Sequence, residues 1–361
     1  MKGSWKIGQV AGIGVYMHAT FLLLIGWVAL SHWMAGRNVQ AVLEGVGFIL
    51  ALFGCVLLHE LGHALTAKKY GIKTRDITLL PIGGLARLER MPDKPMQEFW
   101  VALAGPAVNA VIALGLLVSL EKMASLQPLG ELSVTGGSFL QRLMIVNIFL
   151  AVFNMVPAFP MDGGRVLRAL LATQMDYTRA TQIAATVGQG LALVFGFIGL
   201  FGNPMLLFIA LFVWIGAAQE AAMTQMKSAL GGIPVGMAMI REFHTLSPTD
   251  SLTRAIELLL SGSQADFPVV DSGQIVGVLT RNDLLIALAK KGQNAPVTDV
   301  MHRDFQVVDT DEMLEIAFAR LQGCECQTLP VTSRGRLVGL ITTENVGEFV
   351  MIQAALSTPR R

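Results

Sequence analysis

Long uncharged runs of apolar residues dominate the first 225 residues of this chain. A helix that crosses the hydrocarbon core of a bilayer needs about 20 predominantly apolar residues. Four runs meet this requirement directly, at residues 17–36, 99–120, 143–161 and 183–202. A shorter run at residues 204–219 follows the turn-forming pair Asn203-Pro204, and a further run covers about residues 45–67. The sequence therefore predicts an α-helical membrane domain with about six transmembrane helices.

The composition of the chain changes between residues 225 and 232. Over the whole chain 53% of the residues are hydrophobic and only 15% are charged, which is too apolar for an ordinary soluble enzyme. From Gly232 onward, however, the sequence is typical of a soluble domain. We therefore expect a membrane domain at residues 1–225 and a soluble domain at residues 232–352. The net charge of +1 argues neither for nor against nucleic acid, and we expect no nucleic-acid partner.

The loops between the predicted helices differ in positive charge. Basic residues are concentrated in two loops, as Lys68, Lys69, Lys73, Arg75, Arg87, Arg90 and Lys94 in one and as Arg165, Arg168 and Arg179 in the other. The loops on the opposite side carry only Arg37 and Lys122. Because cytoplasmic loops carry the excess of basic residues, we expect both termini and the soluble domain to lie in the cytoplasm. The chain is thus expected to be a multi-pass protein of the cell membrane.

A segment between the second and third predicted helices favours β-structure. Residues 72–80 and 85–89 each resemble a strand, and residues 81–84 contain a proline and the pair Gly83-Gly84. We expect a β-hairpin here, with a surface loop as the alternative. An exposed edge strand pairs readily with an extended peptide, so the hairpin is a candidate substrate-binding element.

The strongest chemical signal is the segment His59-Glu60-Leu61-Gly62-His63 at the end of the second predicted helix. Histidines at this spacing point the same way on a helix and can hold one zinc ion. Glu60 follows the first histidine and can act as the general base toward a water molecule that zinc activates. In the alternative interpretation the histidines only form hydrogen bonds between helices, which leaves the glutamate without a function. Ionisable residues at membrane depth are costly and usually functional, which favours the metal site.

A catalytic zinc site needs a third protein ligand, and Asp162 is the candidate. It follows the run at residues 143–161, which two prolines interrupt just before the aspartate. In the predicted topology the second and fourth helices both run inward, so His63 and Asp162 lie at similar depth. The alternative is that Asp162 caps a following helix at residues 163–173. The missing ligand and the matching depth favour a metal ligand.

Four motifs in this order resemble the site-2 protease family of intramembrane metalloproteases. They are His59-Glu60-Leu61-Gly62-His63, the pair Gly83-Gly84, Gly105-Pro106-Ala107-Val108-Asn109, and the stretch Asn154…Pro157…Pro160…Asp162-Gly163-Gly164. The resemblance extends over most of the first 225 residues. It implies an intramembrane zinc endopeptidase that hydrolyses peptide bonds of transmembrane proteins, with a single-span membrane protein as its substrate.

The resemblance also implies roles for individual residues. The implied ligands of one Zn²⁺ ion per chain are His59, His63 and Asp162. Glu60 is implied to activate water, and Asn154 to hold the substrate backbone, with Gly83 and Gly84 as further substrate-binding positions. None of these motifs identifies the substrate protein.

The soluble domain contains an internal repeat at an offset of 62 residues. The matching pairs are Pro234-Val235 with Pro296-Val297, Met239 with Met301, Arg241 with Arg303, Phe243 with Phe305, Pro268-Val269 with Pro330-Val331, Val276-Gly277 with Val338-Gly339, and Thr280 with Thr342. Each copy, at residues 232–291 and 294–352, is predicted to fold as strand, helix, strand, strand, helix. A unit of this size buries little surface alone, so the two copies are expected to pack on each other. The pattern resembles a tandem pair of CBS domains with an α/β fold.

In many CBS pairs a segment of glycine, two apolar residues, threonine and, three residues later, aspartate binds adenine nucleotides. The resemblance implies that Thr280 lies near phosphate and Asp283 on the ribose hydroxyls, with ATP or AMP as a regulatory ligand. The second copy has Thr342 but carries Asn345 in place of the aspartate, so its site lacks a charge. The alternative is a purely structural module or one that forms a homodimer.

Other classes of protein also join membrane helices to CBS domains. A transporter or channel gated by such domains is one alternative, but a transporter is expected to carry an internal repeat among its helices, and we find none in this sequence. An inactive relative that serves as a scaffold is another, and the intact set of candidate catalytic residues argues against it. The cysteines Cys55, Cys324 and Cys326 form no disulfide framework, and Cys324 and Cys326 lack the spacing of a metal-binding pair.

Overall fold

The computed structural model describes residues 3–36, 38–81, 83–89, 92, 94–122, 138–323 and 327–357. Several residues discussed above lie outside the described residues, namely Arg37, Ile82, Arg90, Cys324 and Cys326. The chain divides into two compact units, Met1–Thr224 and Gln225–Arg361. The boundary between the units lies close to the point at which the composition of the sequence changes.

Helices account for most of the first unit. Within the described residues they are α1 (Thr20–Gly36), α2 (Val39–Lys69), α3 (Pro95–Lys122), α4 (Phe139–Asn154), α5 (Asp162–Leu171), α6 (Tyr177–Phe201) and α7 (Met205–Leu230). Helices α2, α3, α6 and α7 are long and apolar enough to cross a membrane. Helices α1 and α4 are also apolar but have only 17 and 16 residues. The first unit is therefore a multi-pass membrane domain, while the number of spans stays a prediction.

The first helix begins later than its apolar run predicts. The apolar run predicts a helix from residue 17, but Met17 belongs to a strand and α1 begins at Thr20. The strands β1 (Ser4–Val10) and β2 (Ile13–His18), which the sequence did not predict, form an antiparallel hairpin. Strand β2 is apolar enough to merge with the helix that follows it, which hides the boundary in a hydropathy pattern.

The hairpin predicted after α2 is present as β3 (Thr74–Leu80) and β4 (Gly83–Leu88). It belongs to a four-stranded sheet with the order β1-β2-β3-β4, in which β2 and β3 are parallel. Ile77 on β3 is fully buried and packs with Leu61 and Ala64 of α2. One face of the sheet therefore lies against α2, and β4 forms an edge of the sheet.

The connection between α4 and α5 is irregular. The apolar run predicts a helix over residues 143–161, but α4 ends at Asn154 because the two prolines that follow lack the N–H group a helix requires. A Cβ atom on Gly164 would lie only 2.6 Å from the backbone nitrogen of Phe159, and one on Gly163 would overlap the same connection. The two glycines therefore let α5 pack tightly against the connection that precedes it.

The second unit contains two sheets and several short helices. Within the described residues its elements are α8 (Val235–Ala238), α9 (Leu252–Ser261), β5 (Phe267–Asp271), β6 (Gln274–Leu279), α10 (Arg281–Lys291), a 3₁₀ turn (Val297–Asp299), β7 (Val308–Asp309), α11 (Leu314–Gly323), β8 (Thr328–Ser333), β9 (Arg336–Thr342) and α12 (Thr343–Ser357). Leu252 and Leu279 belong to one hydrophobic cluster, and Leu314 and Ile341, at the equivalent positions of the repeat, belong to a second. Each cluster also contains residues of the other copy, so the two copies share both cores.

The two copies of the repeat also contact each other in equivalent ways. A Cβ atom on Gly277 would lie 2.7 Å from Sδ of Met301, and one on Gly339 would lie 2.7 Å from Sδ of Met239. In each case the glycine of one copy packs against the methionine of the other copy. The predicted packing of the two copies on each other is therefore confirmed.

One predicted strand of the repeat is almost absent. In the second copy β7 pairs with β8 through Val308 and Val331, but the equivalent contact in the first copy is a single bridge between Leu246 and Val269. The second copy has two valines at this place, which favour a strand, whereas Leu246 is followed by serine and proline. Proline donates no ladder hydrogen bond, so the strand does not extend.

Candidate metal centre

The C-terminal half of α2 holds two buried histidines on one face. His59 and His63 lie one helical turn apart, and their Nε2 atoms are separated by 3.1 Å. Helix α3 approaches α2 closely here, because a Cβ atom on Gly62 would lie 2.8 Å from the carbonyl oxygen of Ala104. On the other side of the contact, a Cβ atom on Gly105 would lie 2.6 Å from Nε2 of His59. Glycines on both helices therefore make room for the two imidazole rings.

Asp162 completes a triangle with the two histidines. Its Oδ2 atom lies 3.2 Å from Nε2 of His59 and 3.1 Å from Nε2 of His63. Asp162 is the first residue of α5, and Met161 occupies the N-cap position without a side-chain hydrogen bond to the helix. The carboxylate is thus directed to the histidines, and the alternative in which Asp162 is the N-cap does not match the geometry.

The orientation of the His63 ring is set by a backbone carbonyl group. Its Nδ1 atom lies 2.6 Å from the carbonyl oxygen of Val101 on α3. A carbonyl oxygen only accepts hydrogen bonds, so Nδ1 of His63 carries a proton and donates it. In the neutral ring the Nε2 atom is then unprotonated and presents a lone pair.

The orientation of the His59 ring is set by a relay of two buried amides. Asn147 Nδ2 donates to the carbonyl oxygen of Leu143 at 2.8 Å, which leaves its Oδ1 atom as the acceptor for Asn109 Nδ2, also at 2.8 Å. Asn109 therefore presents its own Oδ1 atom to His59 Nδ1, at 2.5 Å. Because this oxygen accepts, Nδ1 of His59 is the donor and its Nε2 atom has the lone pair. The relay connects α2, α3 and α4.

Three electron-rich atoms therefore face one another. In the neutral rings both Nε2 atoms carry lone pairs, and Asp162 Oδ2 adds a third, so they repel one another unless a positive charge lies between them. Ligands at the usual bond lengths from a tetrahedral zinc ion are about 3.3 Å apart. The observed separations of 3.1, 3.2 and 3.1 Å are close to this value. The three side chains thus fit the ligand set of a catalytic zinc site, and their role as ligands stays a prediction.

Glu60 and the edge strand β4 come together beside the metal centre. A Cβ atom on Gly84 would lie 2.6 Å from Cγ of Glu60, so only glycine allows the strand to approach this closely. Glu60, Gly83, Gly84 and Asn154 all line one cavity of about 510 Å³, together with the three candidate ligands. The structure therefore brings together every residue that was predicted for the catalytic and substrate-binding site of the membrane domain.

A charged pair braces the hairpin that forms one wall of the cavity. Arg87 on β4 donates to both carboxylate oxygens of Asp76 on β3, at 2.8 and 2.5 Å. These hydrogen bonds hold the pKa of the Arg87 guanidinium above its ordinary value. The ion pair holds β4 against β3. The backbone N–H and C=O groups on the outer edge of β4 face away from the sheet and can pair with another extended segment.

The predicted nucleotide-binding residues lie in the second unit and already have partners. Thr280 caps α10, accepting a hydrogen bond from the backbone N–H of Asp283 at 3.2 Å and donating its hydroxyl to the Asp283 carboxylate. Nε2 of His302, from the second copy, lies 2.7 Å from Asp283 Oδ2. In the second copy Thr342 accepts from the backbone N–H of Asn345 at 3.1 Å. Both threonines thus accept a hydrogen bond from the first turn of the helix that follows them.

Sequence reasoning missed the residues that orient the histidines. Asn109 was noted only as part of a motif, and Asn147 was not singled out at all. The signal for both was present, because each is an amide side chain in the middle of an apolar run. A polar side chain at membrane depth is costly unless it has a partner. The contribution of the Val101 carbonyl, by contrast, leaves no trace in the sequence because any residue supplies that group.

Family profiles match both parts of the chain. The profile of peptidase family M50 matches residues 47–128 and 122–195. The CBS domain profile matches residues 235–290 and 297–350. The first two segments contain the candidate metal ligands, and the other two correspond to the copies of the internal repeat.

Related proteins extend the similarity to nearly the full length of the chain. A zinc metalloprotease of Methanocaldococcus jannaschii is 31% identical over 347 residues, which cover 96% of this chain and 96% of the relative. A Synechocystis protein with a provisional zinc metalloprotease name is 28% identical over 376 residues, covering 98% and 97% of the two chains. A solved site-2 protease from Methanocaldococcus jannaschii shares 36% identity over 60% of this chain and 95% of its own, with a TM-score of 0.45.

These features together define a class of protein, a multi-pass membrane metalloprotease joined to a pair of CBS domains. The chain belongs to peptidase family M50, the site-2 protease family of zinc metalloproteases. The resemblance noted in the sequence and the prediction of a zinc-dependent protease are therefore confirmed at the level of the family.

The contact of Gly105 with the imidazole rings leads to a test of the metal centre. In Gly105→Ala the added methyl group overlaps Nε2 of both His59 and His63, so the rings must turn away from Asp162. We expect zinc affinity to fall at least about 10-fold, the size of effect seen when the surroundings of metal ligands are changed. Zinc affinity is measured by competition with a chelating dye on the purified protein in detergent.

Gly115→Ala is the matched control on the same helix. A Cβ atom at Gly115 meets no other atom within 4 Å, so this variant should keep its zinc affinity. Its helix should gain about 0.5–1 kcal/mol from the loss of a flexible residue. Equal zinc affinity of the two variants would contradict the proposed position of the rings around a shared metal ion.

Proposed function

We propose that this protein is an intramembrane endopeptidase that hydrolyses peptide bonds within membrane-spanning segments of its substrates. The observation that carries the proposal is one cavity in which His59, Glu60, His63 and Asp162 meet the edge of strand β4. Helix α2, which carries three of these residues, and helix α3, which packs against them, are apolar and long enough to cross a membrane. A protease site enclosed in this way acts on a chain that is itself in the bilayer.

In the proposed mechanism one zinc ion per chain is held by His59, His63 and Asp162. Zinc, when bound, supplies a Lewis acid that polarises the scissile carbonyl group and lowers the pKa of water. Glu60 takes a proton from the attacking water as the C–O bond forms. It then gives this proton to the amine nitrogen as the C–N bond breaks, so the glutamate is ionised again at the end of the cycle. Asn109 and Val101 keep both imidazole Nε2 atoms unprotonated throughout.

The substrate is proposed to bind as an extended segment along β4. Peptide bonds within a helix are shielded, so a transmembrane substrate must unwind before it is cleaved. Unwinding leaves backbone groups without partners in a medium that offers no water, and a free strand edge supplies such partners. Gly84 lets this edge approach Glu60, and Gly83 and Asn154 line the same cavity. These contacts support the proposed substrate-binding role of the three residues.

We further propose six membrane spans, formed by α1 to α4, α6 and α7. Strand β2 precedes α1 and strand β3 follows α2, yet the two strands pair in one sheet. The chain between them must therefore cross the bilayer an even number of times, so α1 crosses if α2 does. The same reasoning applies to α3 and α4, because β4 precedes α3, Asp162 follows α4, and both line one cavity. Short spans are accommodated by local thinning of the bilayer.

The orientation of these spans follows from charge. The loops that contain the basic residues are proposed to be cytoplasmic, which puts both termini and the CBS pair on that side. Two consecutive spans, α6 and α7, return the chain to the side on which α5 begins. The metal centre at the start of α5 is then near the cytoplasmic face, and a single-span membrane protein reaches it from the bilayer.

The CBS pair is proposed to bind an adenine nucleotide such as ATP or AMP and to regulate cleavage. Asp283 would accept from the ribose hydroxyls, with Thr280 and Thr342 near phosphate. The ion pair between Asp283 and His302 competes with this role, so a nucleotide must displace the histidine. A ligand shifts the protease only if it binds one arrangement of the chain better than another. A homodimer formed through the CBS domains is part of the same proposal.

The role of Glu60 is tested by replacing it without changing its size. Glu60→Gln should keep one zinc ion per chain but lose about 100- to 10,000-fold in cleavage rate, since a general base contributes by this much. His59→Ala, His63→Ala and Asp162→Ala should instead lose zinc. Glu44→Gln, an exposed position on the same helix, is the matched control and should retain full activity. Zinc is measured by elemental analysis and cleavage with a membrane-reconstituted single-span substrate; full activity of Glu60→Gln would exclude its role.

The role of the β4 edge is tested with proline. Of two neighbouring residues in an edge strand, such as Leu85 and Ala86, one directs its N–H group to β3 and the other directs it outward. Proline at the outward position removes a donor for the substrate without breaking the sheet, and cleavage should fall roughly 5-fold for one lost hydrogen bond. Zinc content should not change.

Strand β1 provides the control for the proline experiment. It forms the opposite edge of the same sheet, and Ile7 lies where its pairing with β2 is interrupted. Ile7→Pro should therefore leave cleavage unchanged. If proline at the outward position of β4 has no more effect than proline at Ile7, the substrate does not pair with this edge.

The nucleotide proposal is tested by calorimetry on the full-length protein. Asp283→Ala should weaken ATP or AMP binding by about 10- to 100-fold, since a charged hydrogen bond is lost. His302→Ala should tighten binding, because it removes the group that occupies Asp283. Asp271→Ala, at the end of β5, is the control for loss of a carboxylate elsewhere in the unit. Absence of binding by the wild type at millimolar ATP, ADP and AMP would leave the module without a nucleotide ligand.

A further inference from the structure

A buried cluster of charges lies on the same short helix as Asp162. Its centre is Arg168, whose side chain is fully buried although arginine is among the residues most rarely found inside proteins. The cluster lies near the end of α5, and Asp162 is the first residue of that helix. Neither the sequence motifs nor the catalytic chemistry described above uses Arg168.

The main partner of Arg168 is Glu98 on α3. Arg168 donates to Glu98 Oε1 from Nε at 2.9 Å and from Nη2 at 2.5 Å. Glu98 is only 2% exposed, so the ion pair is isolated from water. Tyr177, at the start of α6, also donates to this carboxylate oxygen at 3.4 Å.

Three further elements enclose the guanidinium group. Glu220 on α7 accepts from Arg168 Nη1 at 2.5 Å. The guanidinium carbon lies 4.9 Å from the ring centroids of both Phe159 and Tyr177, a distance at which a cation is attracted to an aromatic face. Phe159 belongs to the connection that leads to Asp162. Arg168 thus links α5 to α3, α6, α7 and this connection at a single point.

The position of Asp162 depends on how α5 is held. The helix has only 10 residues and no side-chain cap at its start, so its own hydrogen bonds do not fix its direction. Its partner α3 carries Glu98 and also Val101 and Asn109, the groups that orient His63 and His59. The ion pair of Arg168 with Glu98 therefore attaches α5, which carries Asp162, to α3, the helix that orients the two histidines.

We propose that Arg168 is a positioning residue for the metal centre. Held by Glu98 and Glu220, it keeps α5 in the one direction in which the Asp162 carboxylate meets Nε2 of His59 and His63. The Glu220 contact makes this direction depend on α7, which is the helix that continues into the second unit. The proposal rests on the assignment of Asp162 as a zinc ligand.

A role in overall stability alone explains the cluster less well. Buried ion pairs gain little over apolar side chains of similar size, because the charges lose their hydration. In some proteins such pairs instead select one arrangement among several of similar energy. A metal ligand on a short helix needs its helix held in one arrangement, because residues that orient the ligands strongly affect metal affinity.

The test compares metal binding of folded variants of the full-length protein in detergent. The double variant Glu98→Leu/Arg168→Met removes the two buried charges of the cluster together and leaves only Glu220, whose carboxylate reaches solvent. We expect its zinc affinity to fall about 10- to 100-fold and the visible absorption spectrum of bound Co²⁺ to change, since the third ligand is displaced. Glu220→Gln, whose side chain is 31% exposed and which leaves the pair with Glu98 intact, should fold and shift both readouts in the same direction to a smaller degree.

Two references separate the possible outcomes. Arg254→Met removes an exposed ion pair with Glu257 in the second unit and should leave zinc affinity and the Co²⁺ spectrum unchanged. Asp162→Asn reports on the ligand itself, and wild-type zinc affinity in that variant would overturn the assignment of Asp162 independently of Arg168. If Asp162→Asn loses zinc but a folded double variant or Glu220→Gln binds zinc and Co²⁺ as the wild type does, Arg168 does not position the ligand.

Discussion

Two backbone carbonyl oxygens determine what the histidine pair can do. The carbonyl groups of Val101 and Leu143 can only accept hydrogen bonds. The first accepts directly from His63, and the second fixes the donor direction of the hydrogen bonds that lead to His59. In both histidines the proton is therefore on Nδ1, so both Nε2 atoms present lone pairs to the same point. The carboxylate of Asp162 faces this point as well. The hydrogen bonds of the protein itself therefore create a place that favours a cation.

Close approach of backbones is the second requirement of the site. Gly62 and Gly105 let α2 and α3 meet across the imidazole rings, and Gly84 lets β4 reach Glu60. Gly163 lets α5 turn directly out of the connection that carries the prolines. At Gly105, Gly84 and Gly163 a single methyl group would displace a histidine ring, Glu60 or the helix that carries Asp162, and at Gly62 it would push α3 away from α2. Contact distance thus explains Gly84 and Gly163, whereas Gly83 is required by its positive φ angle of 140°.

Much of this arrangement could be predicted from the sequence. The spacing of His59 and His63, the interruption before Asp162 and the offset of the repeat depend on local patterns, and local patterns are readable along one chain. The strands β1 and β2 were missed because an apolar strand that runs into an apolar helix gives one continuous hydropathy signal. The Arg168 cluster was also missed, since Arg168 was counted only as a basic loop residue. Its partners are 70 and 52 residues away, and no local pattern connects them.

The parallel pairing of β2 with β3 has a consequence for the order in which the protein folds. Val15 pairs with Ile77, so the two strands are separated by both α1 and α2. Pairing over such a distance requires closure of a long loop, which is slow compared with helix formation. Pairing of the first hairpin with β3 must therefore wait until both α1 and α2 have been synthesised. During synthesis the wall of the cavity that faces Glu60 is therefore completed only after the histidine-bearing helix α2 has been made.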